Sequence, residues 1–159
     1  MTPLADLARE PEERVVLALV DEIVGPLLDG QRASAEFTPA SESGGTPAEL
    51  DITPAKSTAA EIHLAFDAPR ELYVTLGRHE THFEVVERSD EAFEQTIREI
   101  LEGVVGGRYR ERVKVRDDGE LRAAEGIVET PGGRPRRISF GAPLVEGPAD
   151  WREASYDAY

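Results

Sequence analysis

The sequence predicts an α+β fold in which an antiparallel sheet of five to seven strands packs against two principal helices. Three observations predict this class. Residues 90–105 carry apolar side chains at helical spacing, residues 61–87 alternate apolar and polar side chains at strand spacing, and residues 109–129 have the pattern of a hairpin. The predicted order is helix, meander, helix, hairpin and strand, within a single domain of 159 residues.

The central helix is predicted to begin at Ser89 or Asp90, because either side-chain oxygen can accept a hydrogen bond from an amide of the first turn. Its apolar residues recur at intervals of three and four, so they form one stripe that we expect to face the core. The stripe consists of Phe93, Ile97, Ile100, Leu101 and Val104. Gly106-Gly107 is expected to end the helix.

A first helix is predicted over Pro11–Leu28, with more apolar surface than one core-facing stripe requires. Pro11 suits its first turn, and Gly25-Pro26 must kink or end it. A helix that is apolar nearly all round is either deeply buried or covered by a second subunit. Burial within the chain and a homodimer interface through Val16 and Leu17 are both open at this point.

The segments Gln31–Thr38 and Glu61–Glu87 are predicted to supply the strands before the central helix, the second of them as a three-stranded meander. Between them, residues 38–60 contain three prolines and Gly44-Gly45. This composition predicts a long loop, and loops of that length tend to be functional or disordered. A short extended piece at Glu49–Thr53 is the alternative for part of it.

The hairpin is centred on Asp118-Gly119, which favours a type I′ turn. That turn pairs Tyr109 with Val128 and Arg112 with Glu125. It also pairs Val113 with Ala124 and Val115 with Arg122. We expect the odd-numbered side of the first strand, with Tyr109, Val113 and Val115, to face the core. A final strand is predicted at Arg137–Phe140.

The charge distribution predicts which partners the protein prefers. A net charge of −14 disfavours nucleic acid and anionic membrane surfaces as partners. Residues 108–137 nevertheless hold nine basic and six acidic residues, a local charge of +3. Arg110, Arg112 and Lys114 are therefore candidates for docking an acidic partner or another copy's acidic surface. The alternative is a solvated strand face neutralised by neighbouring acids.

Residues 141–159 form an acidic and aromatic C-terminal arm that departs from the strand pattern. The only Trp and two of the four Tyr fall within its last nine residues. The arm either docks on a hydrophobic patch of its own chain or binds another molecule. Trp151 and Tyr156 are the candidate partner-binding residues in the second case.

No catalytic or cofactor-binding motif stands out. His79 and His82 are spaced i and i+3 in a turn or strand, whereas a helical zinc site needs His at i and i+4, so a metal site is disfavoured. The absence of Cys excludes disulfides and thiolate chemistry. We therefore predict no cofactor and favour a non-enzymatic protein. The apolar run Val15–Val20 is too short to span a membrane, and no signal peptide is recognised, so a cytoplasmic protein is expected.

The order of elements resembles the secretion-chaperone-like fold of small acidic proteins. The resemblance involves Pro11–Leu28, Glu61–Glu87, Asp90–Val105 and Tyr109–Glu129. It implies a non-catalytic protein that binds other polypeptides, often as a dimer. We therefore expect a protein-interaction module of the chaperone, adaptor or immunity kind. The alternative is a small-molecule-binding protein or enzyme with a pocket between the sheet and the central helix.

Overall fold

The computed structural model describes residues 3–42, 44–78, 81–115, 121–130, 136–140 and 151–159. A short 3-10 helix at Leu4–Leu7 precedes the main elements. The helices are α1 (Pro11–Ile23), α2 (Gly25–Asp29) and α3 (Asp90–Val105). The strands are β1 (Ala33–Thr38), β2 (Ala48–Pro54), β3 (Ile62–Ala68), β4 (Glu71–Leu76), β5 (Thr81–Val86), β6 (Tyr109–Val115), β7 (Leu121–Val128), β8 (Arg136–Phe140) and β9 (Trp151–Ser155).

These strands form two antiparallel sheets, which confirms the predicted α+β class. The first sheet has the order β1-β2-β3-β4-β5, and the second has the order β8-β7-β6-β9. The sheets adjoin where β5 lies beside β8. A parallel bridge between Ala59 and Asp157 also ties the C-terminal arm to the connection between β2 and β3. The strands are therefore divided between two sheets that share a boundary.

Helix α3 supplies much of the apolar core, as its stripe predicts. Ser89 caps the helix, because its hydroxyl accepts a hydrogen bond from the Ala92 N–H at 3.2 Å. All five stripe residues are at most 3% exposed. They pack in one cluster with the inward-facing residues of the five-stranded sheet. Gly103 of the same helix lies against the second sheet, in close approach to Val128 of β7.

The first helix is divided, and the two residues predicted at a dimer interface are covered within the chain. Helix α1 ends before Val24, and Gly25-Pro26 begins the separate helix α2. Val16 and Leu17 are both completely buried. Their placement at a partner surface is therefore wrong, because neither side chain can contact a second subunit while the fold is closed.

The segment predicted as a long loop contains a strand. β2 occupies Ala48–Pro54, in agreement with the alternative of an extended piece there. Its inward residues Leu50 and Ile52 are at most 1% exposed, while Asp51 and Thr53 face solvent. The alternation of buried and exposed residues is that of an interior strand, although Pro47 precedes it and Pro54 ends it.

The hairpin has the predicted register over most of its length. Tyr109 pairs with Val128, Arg112 with Glu125 and Val113 with Ala124. A register shift between Lys114 and Val115 then places Val115 opposite Leu121, so the predicted pairing with Arg122 is wrong. The Asp118-Gly119 turn itself lies outside the described residues. The final predicted strand corresponds to β8.

The described part of the C-terminal arm is docked on its own chain. β9 pairs with β6 in antiparallel fashion, and Tyr156 and Tyr159 are 5% and 4% exposed. The Asp157 carboxylate lies 2.9 Å from the Lys56 ammonium and accepts a hydrogen bond from the Thr58 hydroxyl at 2.8 Å. The arm therefore completes the core, as the docking alternative anticipated.

Candidate functional site

The outer side of the five-stranded sheet is a charged surface of one sign. Strands β1–β5 contain six acidic residues and neither Lys nor Arg. The acidic residues are Glu36, Glu49, Asp51, Asp67, Glu71 and Glu84. Since alternate residues of these strands fill the core, their polar neighbours face water. We call this surface the acidic face.

One row of side chains crosses all five strands of the acidic face. Strand register places Glu36, Asp51, His63, Thr75 and His82 side by side. The His63 ring Nδ1 lies 2.7 Å from an Asp51 carboxylate oxygen, so this pair shares a hydrogen bond across β2 and β3. The row therefore combines carboxylates with two imidazoles, and it contains no permanent cation.

A neighbouring row brings apolar surface among the carboxylates. Register aligns Glu49 with Ala65, and Tyr73 with Glu84. Tyr73 in this row is 42% exposed, and Val86, which lies opposite Glu71 on the same face, is 57% exposed. The charges of Glu84 and Asp67 raise the pKa of the Tyr73 phenol above its usual range, which indicates a negative potential at this position. The negative potential that disfavours a phenolate at this position favours a cationic group.

The predicted basic residues lie on the outer side of the other sheet, where acidic neighbours form ion pairs with two of them. The Arg110 guanidinium lies 3.5 Å from the Glu129 carboxylate. Arg112 donates from Nε to Glu125 at 3.0 Å. Lys114 also has an interaction partner. This arrangement agrees with the alternative of a neutralised strand face, so it offers little unpaired positive charge to an acidic partner.

The two aromatic candidates of the arm have different environments. Trp151 is 46% exposed, and the Arg112 guanidinium lies over its ring at 5.1 Å from the centroid. Tyr156 is buried, so its predicted role in partner binding is wrong. Its side chain is instead committed to the interior, where its ring stacks on that of Tyr109 with centroids 5.3 Å apart.

The buried partner of these tyrosines is a carboxyl group that the sequence reasoning missed. Glu111 is completely buried in β6. It accepts hydrogen bonds from the Tyr109 hydroxyl at 2.9 Å and from the Tyr156 hydroxyl at 2.5 Å. The Tyr156 oxygen accepts a further hydrogen bond from the Arg78 N–H at 2.8 Å. The signal was present in the odd-numbered position of Glu111, between Tyr109 and Val113 on the core side.

In the described part of the chain, the histidines do not form a metal-binding site with other side chains. His82 is exposed on the acidic face, while His79 lies outside the described residues, as do residues 141–150 of the C-terminal arm. Within the described ranges, no three His, Asp or Glu side chains are grouped so that they could hold a metal ion. His63 and His82 therefore contribute imidazole rings to the acidic face.

The described cavities are open depressions on the surface. One, of about 460 Å³, lies against α1 and the outer side of α3. Another, of about 470 Å³, lies between the start of α1, the loop before β2 and the β3–β4 turn. The space between the five-stranded sheet and α3 is packed, since Leu64, Val74, Ile97 and Leu101 are each at most 1% exposed.

Comparison with protein families, curated proteins and solved structures found no match to this chain. Function is therefore inferred from the chain's own surfaces. Across the described ranges, no helix has the length and apolar character needed to cross a membrane.

Proposed function

We propose that this protein is a non-catalytic protein-interaction module that binds a basic protein through the acidic face. The observation that carries this proposal is the absence of Lys and Arg from β1–β5, combined with six acidic residues on one open sheet surface. Exposed Tyr73 and Val86 add apolar contact area among these charges. Aromatic side chains of this kind are enriched at protein interfaces.

The overall charge supports the same type of partner. A protein with a net charge of −14 attracts cationic proteins at long range and repels further copies of itself. The proposed class is therefore a chaperone-, adaptor- or immunity-like protein, which is the class implied by the resemblance to secretion-chaperone-like proteins. The proposed compartment is the cytoplasm. A chain without Cys forms no disulfides, so it needs no oxidising environment.

The experiment compares three forms of the full chain as baits in a lysate of the native host. The first is the unchanged protein. The second carries Glu49→Lys, Asp67→Lys and Glu84→Lys on the acidic face. The third is a matched control with three exposed acidic residues elsewhere replaced by Lys. The control positions are Asp6, Glu42 and Glu91. Both variants change the net charge from −14 to −8, so they differ only in the location of the change.

Captured proteins are quantified by mass spectrometry at low and high salt, after circular dichroism has confirmed that each bait is folded. We expect a basic protein that the unchanged bait and the control retain, that the acidic-face variant loses, and that high salt releases. Equal capture by the two variants would show that only net charge matters. That result, or the absence of any protein with this pattern, would refute the proposal.

A further inference from the structure

Strand β1 forms an open edge of the five-stranded sheet. No other described strand lies on its outer side. An edge strand presents a row of unpaired N–H and C=O groups that can pair with a strand from another chain. This edge borders the acidic face, since Glu36 of β1 begins the row of side chains that crosses the sheet.

The register with β2 determines which peptide groups of β1 point outward. The Arg32 carbonyl oxygen accepts a hydrogen bond from the Ala55 N–H at 2.8 Å, and Ala33 lies opposite Pro54, which has no N–H. Hydrogen-bonded and non-hydrogen-bonded pairs alternate along an antiparallel ladder. The peptide groups of every second residue are therefore directed away from β2. These residues are Ala33, Ala35 and Phe37.

The apolar layer of the sheet is incomplete at the same edge. Ala33, Ala35 and Phe37 point toward the core side but remain only half-buried, whereas Leu50 and Ile52 in the adjacent strand are at most 1% exposed. Helix α2 contacts β1 and carries two further half-buried residues, Leu27 and Leu28. An added strand would cover this apolar margin with its own inward side chains.

Charge determines what kind of strand fits. Glu36 is the only charged residue of β1, and it lies on the solvent side beside Asp51. A second copy pairing through β1 would join two acidic sheets at this edge, and like charges facing each other across strands are destabilising. A strand with basic residues on its outward side would instead place cations next to the existing row of carboxylates.

We propose that the β1 edge accepts an extended segment of the basic partner as a sixth strand, with apolar and basic residues alternating along that segment. This inference rests on the proposed function and specifies how the partner is held. Apolar side chains of the segment cover Phe37 and the half-buried margin of α2. Basic side chains extend the outer row toward Glu36. Backbone hydrogen bonds form with Ala33, Ala35 and Phe37, as in other cases of strand addition.

The first test uses the full chain and a short end-blocked peptide that alternates Lys and Val. We expect this peptide to bind with slowed amide exchange at Ala35 and Phe37, measured by NMR, and a Glu-Val peptide to show no binding. Two further Lys-Val peptides carry N-methyl groups on one or the other alternate set of residues. Because only one set of peptide N–H groups can face β1, one methylated peptide should lose binding and the other should keep it. Equal binding of both would overturn the proposal.

The second test changes the edge itself and uses the partner protein captured by the unchanged bait. Ala35→Pro removes an N–H group that points away from β2, and proline is tolerated at such positions of edge strands. Ala35→Val keeps this N–H group and is the matched control. We expect Ala35→Pro to weaken partner binding at least about tenfold and Ala35→Val to leave it nearly unchanged. If both variants bind the partner like the unchanged protein while the acidic-face variant does not, strand addition is refuted and the proposed function stands.

Discussion

Replacement of Tyr156 by Phe tests whether the buried carboxyl group of Glu111 holds the C-terminal arm in place. The substitution removes one hydroxyl and leaves the ring stacked on Tyr109. Glu111 is completely buried, so the oxygen that loses its donor at 2.5 Å cannot be rehydrated without opening the structure. A buried polar group left without its partner costs about 1–3 kcal/mol. The Arg78 N–H also loses its acceptor at 2.8 Å, which adds about 1 kcal/mol.

The expected loss in the free energy of unfolding is therefore about 2–4 kcal/mol for Tyr156→Phe. Tyr73→Phe is the matched control, because the Tyr73 ring is 42% exposed on the acidic face. Removal of an exposed hydroxyl should change the free energy of unfolding by less than about 0.5 kcal/mol. Both changes in the free energy of unfolding are to be measured by urea denaturation at neutral pH, with circular dichroism as the signal.

A loss for Tyr156→Phe no larger than that for Tyr73→Phe would refute the reasoning. The hydrogen bonds to Glu111 would then contribute nothing net to stability. A double-mutant cycle with Tyr109→Phe extends the test, since both hydroxyls donate to the same carboxyl group. Effects of residues that share one hydrogen-bonding partner are not additive, so the double variant should deviate from the sum of the single variants.

Two further predictions concern packing and pH. Gly103→Ala places a Cβ 2.3 Å from Cγ1 of Val128 and should lower the free energy of unfolding by about 1–3 kcal/mol. In the control Gly25→Ala the new Cβ meets nothing within 4 Å, so this variant should not be destabilised. Similar urea midpoints for the two variants would contradict the prediction. Burial raises the pKa of both Tyr156 and Tyr159 above the ordinary value of 10.0. A raised pKa means that the folded state holds the phenolic proton more tightly than the unfolded state does. The contribution of these tyrosines to the free energy of unfolding should therefore be complete below pH 10 and decrease as the pH rises above it. An unchanged urea midpoint up to about pH 11 would be evidence against this.

Several features were predictable from sequence because they depend on residues that are near each other in the chain. The stripe of α3 follows from apolar residues three and four positions apart, and Ser89 was recognisable as its cap. The same holds for the meander of β3, β4 and β5, where short turns bring alternating segments together. In the hairpin, sequence reasoning was correct until Lys114, beyond which a bulge shifts the register. A bulge leaves one residue of one strand unpaired, and the register counted from the predicted turn includes no such residue.

Tertiary structure decided what covers each apolar surface. The sequence of α1 could not distinguish burial from a subunit interface, because both require the same apolar residues, and packing within the chain placed Val16 and Leu17 in the core. The pairing of β9 with β6 was likewise not readable, since Tyr156 meets Glu111 across 45 positions of the chain.

The acidic face depends on both levels. Its residues are recognisable one strand at a time, as polar positions that alternate with core positions. Their assembly into a single surface requires β1 and β2 to join the meander in one sheet, which places Glu36, Asp51 and His63 side by side. Local periodicity determines the side of a strand on which a residue lies, whereas contacts between distant segments determine which strands are neighbours. The sequence by itself therefore determined which residues of β1–β5 are polar and alternate with core positions, and only the folded sheet brought those charges together.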